Sequence, residues 1–188
     1  MKNKKGFTLI ELLAVMIILA VIMTIAIPNV VSTIDRNKKD SFIEDAKRMI
    51  SLAEYEIRGD TSIEFPKANT VTVITLERMN TTDIVDSPYD TKYCKSKSYV
   101  AIILNAAGEY EYYAQLVACT DAECANIDDN SVSQNRGVNL ASLAMLNSKD
   151  RFDAKVLASG SNVIVADIGS QEEYIKTTLG RSNVDFYS

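Results

Sequence analysis

Histidine does not occur in this chain, and cysteine and proline appear only three times each and glycine seven times in 188 residues. Without histidine the commonest general base is missing, and a Ser/His/Asp triad cannot be built. Zinc is disfavoured on the same ground, because three cysteines without paired C-x-x-C spacing fall short of a tetrahedral ligand set. The few glycines form no phosphate-cradling loop, and no internal repeat is evident. The chain reads as a non-enzyme with no cofactor and no metal. Its 20 basic and 25 acidic residues give a net charge of −5. That sign argues against nucleic-acid binding, which needs a basic patch.

What is present is unevenly placed. From Phe7 to Ile27 only Thr8, Glu11 and Thr24 are polar, and a membrane-spanning helix needs roughly 20 largely apolar residues. A cleavable secretory signal would have a shorter apolar run followed by a small-residue exit site. Here the run is longer, its exit reads Ile25-Ala26-Ile27-Pro28, and the small residue, Gly6, lies before it. Lys2, Lys4 and Lys5 precede the run, and lysine-rich flanks stay cytoplasmic. The expectation is one anchor with a globular domain on the outer side, where cysteines can oxidise.

Glu11 is the residue out of place. A carboxylate inside a span costs a few kcal/mol and needs a partner, yet no basic residue lies between Phe7 and Ile34. A cut after Gly6 would create one positive group nearby, the amine of Phe7. Lys4-Lys5-Gly6 followed by Phe7-Thr8-Leu9-Ile10-Glu11-Leu12 resembles the class III signal of type IV prepilins, over Lys2 to about Pro28. The resemblance implies cleavage between Gly6 and Phe7 by a membrane-embedded prepilin peptidase, with N-methylation of Phe7 by the same enzyme. It implies that Glu11 neutralises the Phe7 amine, within or between subunits, and so rewards correct axial register. Pro28 sits where these proteins commonly carry a helix-kinking proline. The implied partners are identical or related pilin subunits in a helical polymer, the peptidase, an inner-membrane assembly platform, and the membrane before assembly. The implied location is the membrane first and a cell-surface filament afterwards. Removing residues 1–6 takes three lysines and no acid, leaving 17 basic and 25 acidic residues, a net charge of −8.

Beyond Pro28, the positions Phe42, Ile43, Ala46, Met49, Ile50, Ala53 and Ile57 trace one helical stripe, and Gly59 is a plausible C-cap. This predicts one long helix from residue 7 to about 58, kinked near Pro28 and about 75–80 Å long at 1.5 Å per residue. A separate anchor followed by an independent amphipathic helix is the alternative. The resulting division is leader 1–6, membrane and filament-core half 7–27, amphipathic half 28–58, and an α+β head 59–188 with an antiparallel sheet. Thr70 to Asn80 reads as a strand or short helix. Ser98–Leu104 and Glu109–Ala118 predict an antiparallel hairpin with one buried face. Val138 to Leu146 reads as a helix, and "DAKVLA" with "NVIVAD" as a second hairpin around Ser159–Asn162. "SQEEYIKTTLG" reads as a helix capped by Ser170 and ended by Gly180.

Cys94 and Cys119 flank the first hairpin and could clip its open ends, whereas Cys119 and Cys124 bracket a short polar loop; both pairings stay open. With no cysteine after Cys124 the pattern differs from the C-terminal disulfide loop of Gram-negative pilins, which suggests a Gram-positive type. Asp121, Glu123, Asp128, Asp129 and Asn130 in the 119–137 loop offer hard oxygens for calcium, but their spacing fits no known loop. Arg58-Gly59-Asp60 is better explained by a helix end than by adhesion. The resemblance makes the chain a structural subunit of a type IV pilus supporting adhesion, motility or biofilm formation. The alternatives are a pseudopilin of a type II secretion or DNA-uptake machine and an anchored binding domain that never polymerises.

Overall fold

A computed structural model describes residues 6–120 and 132–188. The chain divides into two compact units, Met1–Lys38 and Lys39–Ser188. Helix α1, Leu9–Gly59, begins in the first unit and ends in the second. It is one helix, unbroken at Pro28, so the anchor and the amphipathic segment are not separate elements.

Within the second unit, Phe42, Ile43, Ala46, Met49, Ile50, Ala53 and Ile57 are all buried, as their helical spacing predicts. They pack on a sheet of seven strands among the described residues: β1 Thr70–Thr75, β2 Lys92–Tyr93, β3 Tyr99–Leu104, β4 Tyr110–Cys119, β5 Arg136–Ser142, β6 Leu157–Ser159 and β7 Asn183–Tyr187. The order is β6-β5-β4-β3-β1-β7, with β2 paired to β4. Every pairing is antiparallel except β1 with β7, which is parallel. The α+β architecture with a largely antiparallel sheet is as expected, and the parallel β1–β7 pair makes that sheet mixed.

Alternation along the strands sorts side chains between two cores. Val100, Ile102, Ala114, Leu116 and Ala118 face the α1 stripe. Val71, Val73, Tyr99, Ala101 and Ile103 face the other way, against Ile175 and Leu179 of helix α3, Glu172–Leu179. Because helices cover both faces, β3 and the inner half of β4 are buried on both. The single buried face expected from the tyrosine alternation is not found: the outer half of β4 is only partly covered, with Tyr112 packed against one core and Tyr113 against the other.

Three further expectations are corrected. Residues 138–146 form β5 and then the short helix α2, Leu143–Asn147, because the segment from Arg136 pairs with β4 on one side and β6 on the other. Leu140, at φ +40°, sits in that strand beside a bulge between Ala114 and Leu116. The second hairpin does not form: β6 pairs with β5, and residues 160–162 make a 3-10 turn. Val163 instead crosses onto β5, where a Cβ added to Gly137 would lie 2.6 Å from its Cγ1. Gly59 stays out of the left-handed region. The chain leaves α1 through Asp60, whose carboxylate accepts from Ser62 N–H at 2.8 Å and Arg78 Nη2 at 2.7 Å.

Helix α3 ends as expected at Gly180, φ +62°, whose N–H bonds to the Lys176 carbonyl, but it starts after a 3-10 turn at Ile168–Gln171 rather than at a Ser170 cap. Near the start of the second unit, Arg151 Nε and Nη2 both donate to Asp40 Oδ1, at 3.0 and 2.9 Å, tying the loop after α2 to α1.

Candidate functional site

Gly6, Phe7 and Thr8 lie ahead of the helix, and Leu9 begins it. Nothing lies within 4 Å of a Cβ built on Gly6, and Phe7 is 89% exposed. Among the described residues nothing crowds the peptide between them.

The first turn is closed by two side chains. Glu11 Oε2 accepts from the Thr8 backbone N–H at 2.8 Å and from Thr8 Oγ1 at 2.9 Å, while Glu11 N–H donates to Thr8 Oγ1 at 3.3 Å. This is a reciprocal capping box: each side chain satisfies an amide that the helix itself leaves without a partner. A carboxylate in the first turn also opposes the positive end of the helix dipole. The box therefore holds Glu11 at the helix end nearest Phe7, with its charge hydrogen-bonded by its own chain.

After Glu11 the apolar side chains stand uncovered, from Leu12 at 61% exposed to Ile27 at 58%. This part of α1 is long and apolar enough to cross a membrane. An open Gly-Phe peptide, a capped glutamate in the first turn and a bare apolar helix occupy one continuous stretch.

Residues 1–27 match the family model of the prokaryotic N-terminal methylation motif. The chain carries a prepilin-type signal. The motif supports a type IV pilin-like or pseudopilin protein. It implies processing by a prepilin peptidase and polymerisation with other pilins, and together with the apolar helix it fits membrane anchoring followed by a surface filament. No curated protein and no solved structure matches the chain.

Gly6, Phe7 and Glu11, named from the sequence, lie together at the start of α1. Pro28 lies further along the same helix, still within the first unit. Cys94 and Cys119 belong to the second unit, where both are buried in a small cluster with Val117, Ala158 and Val163. Cys124 and the candidate calcium ligands Asp121, Glu123, Asp128, Asp129 and Asn130 lie outside the described residues. Among the described residues no group of three or more metal-ligating side chains comes together.

The sequence reading passed over Thr8 as the partner of Glu11. The signal was present in Thr8-Leu9-Ile10-Glu11, the T-x-x-E spacing of a capping box just ahead of an apolar run. The head contributes one further charged group of note. Burial raises the Asp45 carboxyl above its ordinary pKa even though Tyr93 Oη donates to it at 2.8 Å. That pair joins α1 to β2 and is a packing feature.

Proposed function

We propose that this chain is the structural subunit of a type IV pilus, cut between Gly6 and Phe7, N-methylated on Phe7 and polymerised through α1 to support adhesion, motility or biofilm formation. The observation that carries the reading is the carboxylate of Glu11, fixed in the first turn of a bare apolar helix and four residues from the amine that the cut would create. In the precursor, Thr8 supplies the donors that an isolated carboxylate would lack in a dry setting. After the cut, the Phe7 ammonium enters the same neighbourhood as a stronger, charge-assisted donor. An amine of the same or a neighbouring subunit pairs well only in one axial register, and a slipped register leaves a buried charge alone. Assembly is then driven by burial of the apolar run among copies of itself, and Glu11 selects the arrangement.

Intact mass and N-terminal fragmentation of material sheared from the cell surface test the reading. The expected result is a chain beginning at methylated Phe7 and abundant in the sheared fraction. A processed chain confined to membranes would assign it to a pseudopilin machine, and a chain still beginning at Met1 would overturn the processing. Glu11→Ala should insert in the membrane normally yet fail to enter filaments. Normal assembly of that variant would refute the docking role of the carboxylate.

A further inference from the structure

Tyr55 is the most exposed aromatic side chain among the described residues of the second unit, at 77%. Ser51, Glu54, Tyr55 and Arg58 follow i, i+3, i+4, i+7 spacing, so the four share one side of α1. That side is turned away from the buried stripe Phe42–Ile57. Together with Gly59 they line an open hollow of about 410 Å³, within the range of about 300–1,000 Å³ usual for small-molecule sites. Space is free around Gly59, where an added Cβ would meet nothing within 4 Å.

The polar groups here are of the kind that hold hydroxyls. Arg58 Nη2 donates to Glu54 Oε1 at 2.6 Å. A guanidinium has five N–H donors and a carboxylate two acceptor oxygens, so the pair can bond further partners without parting. Ser51 Oγ donates to the Lys47 carbonyl at 3.3 Å and keeps its lone pairs for an incoming donor. Asp60 takes no part, because Ser62 and Arg78 hold its carboxylate. Arg58 also hydrogen-bonds Tyr112, whose phenol burial raises above its ordinary pKa. Tyr110 lies on the same side of β4 as Tyr112 and packs on Phe65 with ring centroids 4.9 Å apart. Aromatic surface thus continues beyond the Glu54–Arg58 pair.

We propose that this hollow binds an uncharged saccharide, with the apolar face of a sugar ring on Tyr55 and its hydroxyls on Glu54, Arg58 and Ser51. This rests on the adhesive role proposed above and names its ligand class.

Charge and chemistry together select that ligand. The chain is acidic overall, yet the hollow holds one cation and one anion bonded to each other, which matches neither a polyanion nor a polycation. A wholly apolar partner would cover the Glu54–Arg58 pair and return no hydrogen bonds for the water it removes. A sugar replaces that water with hydroxyls, and its C–H face suits a tyrosine ring, which has an apolar body and a polar tip.

The test overlays the full-length chain, in a detergent without a sugar headgroup, on printed neutral oligosaccharides of glucose, galactose, mannose and N-acetylglucosamine, beside sialylated and sulfated ones. Binding to a neutral class is expected. Tyr55→Ala and Arg58→Ala should each weaken it about tenfold or more, whereas Tyr55→Phe keeps the ring and should bind nearly as the parent does. Both side chains are exposed, so these variants should melt with the parent. Silence on every neutral sugar overturns the proposal, as does undiminished binding by Tyr55→Ala and Arg58→Ala. A signal confined to sialylated or sulfated glycans assigns the hollow to an anion and overturns it too. Oligomers of the chain that disappear in Tyr55→Ala, with all sugars silent, give this side of α1 to a second copy and overturn it. Glu11→Ala should bind sugar as the parent does, so a failure of polymerisation and a failure of the saccharide site are read apart.

Discussion

Replacing Gln115 with leucine is the sharpest probe of how the head is held. Gln115 is fully buried at the β4 bulge. Its Oε1 accepts from Leu140 N–H at 3.0 Å and its Nε2 donates to the Ile164 carbonyl at 3.1 Å. Asn139 continues the connection: its Oδ1 accepts from Ile164 N–H at 3.3 Å and its Nδ2 donates to the Asn162 carbonyl at 2.8 Å. One amide side chain thus stands in for the ladder bonds lost where β5 bends through Leu140. Leucine has a similar volume, so the cavity cost is small and the lost hydrogen bonds dominate. Two backbone groups left without partners cost about 1–3 kcal/mol each, and leucine's better burial offsets part of that. A net destabilisation of about 2–4 kcal/mol is expected, which in a domain of this size lowers Tm by roughly 5–15 °C. With nine tyrosines and no tryptophan, tyrosine fluorescence of the full chain in detergent, followed on heating, reports the unfolding. Gln134→Leu makes the same chemical change at an exposed position and should stay within about 0.5 kcal/mol of the parent. If Gln115→Leu loses no more than Gln134→Leu, the bulge is not held by this side chain.

Asp60 gives a pH signature. Its pKa is lowered to about 2, first by the Ser62 backbone N–H, then by the Ser62 hydroxyl and by Arg78. A carboxyl lowered on folding contributes stability that is present above its unfolded pKa of about 4 and lost as pH falls toward the folded value. Asp60→Asn should therefore be less stable than the parent at pH 5, with the difference shrinking between about pH 4 and pH 2, read as Tm on both proteins; a difference independent of pH would refute the assignment. Cys94 and Cys119 are expected to be linked to each other. Non-reducing peptide mapping should recover that pair with Cys124 alkylated, whereas a Cys119–Cys124 peptide would refute it. Reduction should then cost about 3 kcal/mol by releasing the closed loop, seen as a lower Tm in reductant.

The sequence made α1 legible because two periodic signals each had one meaning. The apolar run from Phe7 to Ile27, with three polar residues in 21, is long enough to span a bilayer, and the stripe from Phe42 to Ile57 could bury only one side of a helix. The hairpin β3–β4 was legible from its aromatic and β-branched content for the same reason. Legibility failed where local pattern and tertiary pairing disagree. Leu140, Leu143 and Leu146 fit helical spacing, and the last two do lie in α2, but up to Ser142 the chain is β5, where pairing with β4 and β6 overrides a weak propensity. β7 alternates over only Asn183-Val184-Asp185-Phe186, too short a run to stand out, and its pairing with β1 makes it a strand. In the candidate site, Glu11 stood out because a carboxylate is out of place in an apolar run, whereas Gly6 and Phe7 were named only through the resemblance to prepilin signals. Thr8 was readable in principle and hidden by its ordinariness, since a threonine ahead of a helix attracts no notice until its bonds are seen.

The parallel pairing of β7 with β1 also bears on the order in which the head can be finished. The register joins Thr70 to Asn183 and Ile74 to Tyr187, so one side of β1 waits for a strand more than 100 residues further along the chain. β3 reaches the other side of β1 early, as soon as Tyr99–Leu104 is available. Until β7 arrives, Val71, Val73 and Ile74 belong to a strand with a bare edge, the form of surface that captures strands from other molecules. A chain that stopped short of Asn183 would keep that edge permanently, and a finished one does not. Closure of the sheet therefore waits on Asn183–Tyr187, and a subunit truncated before that segment is marked by its own unpaired strand.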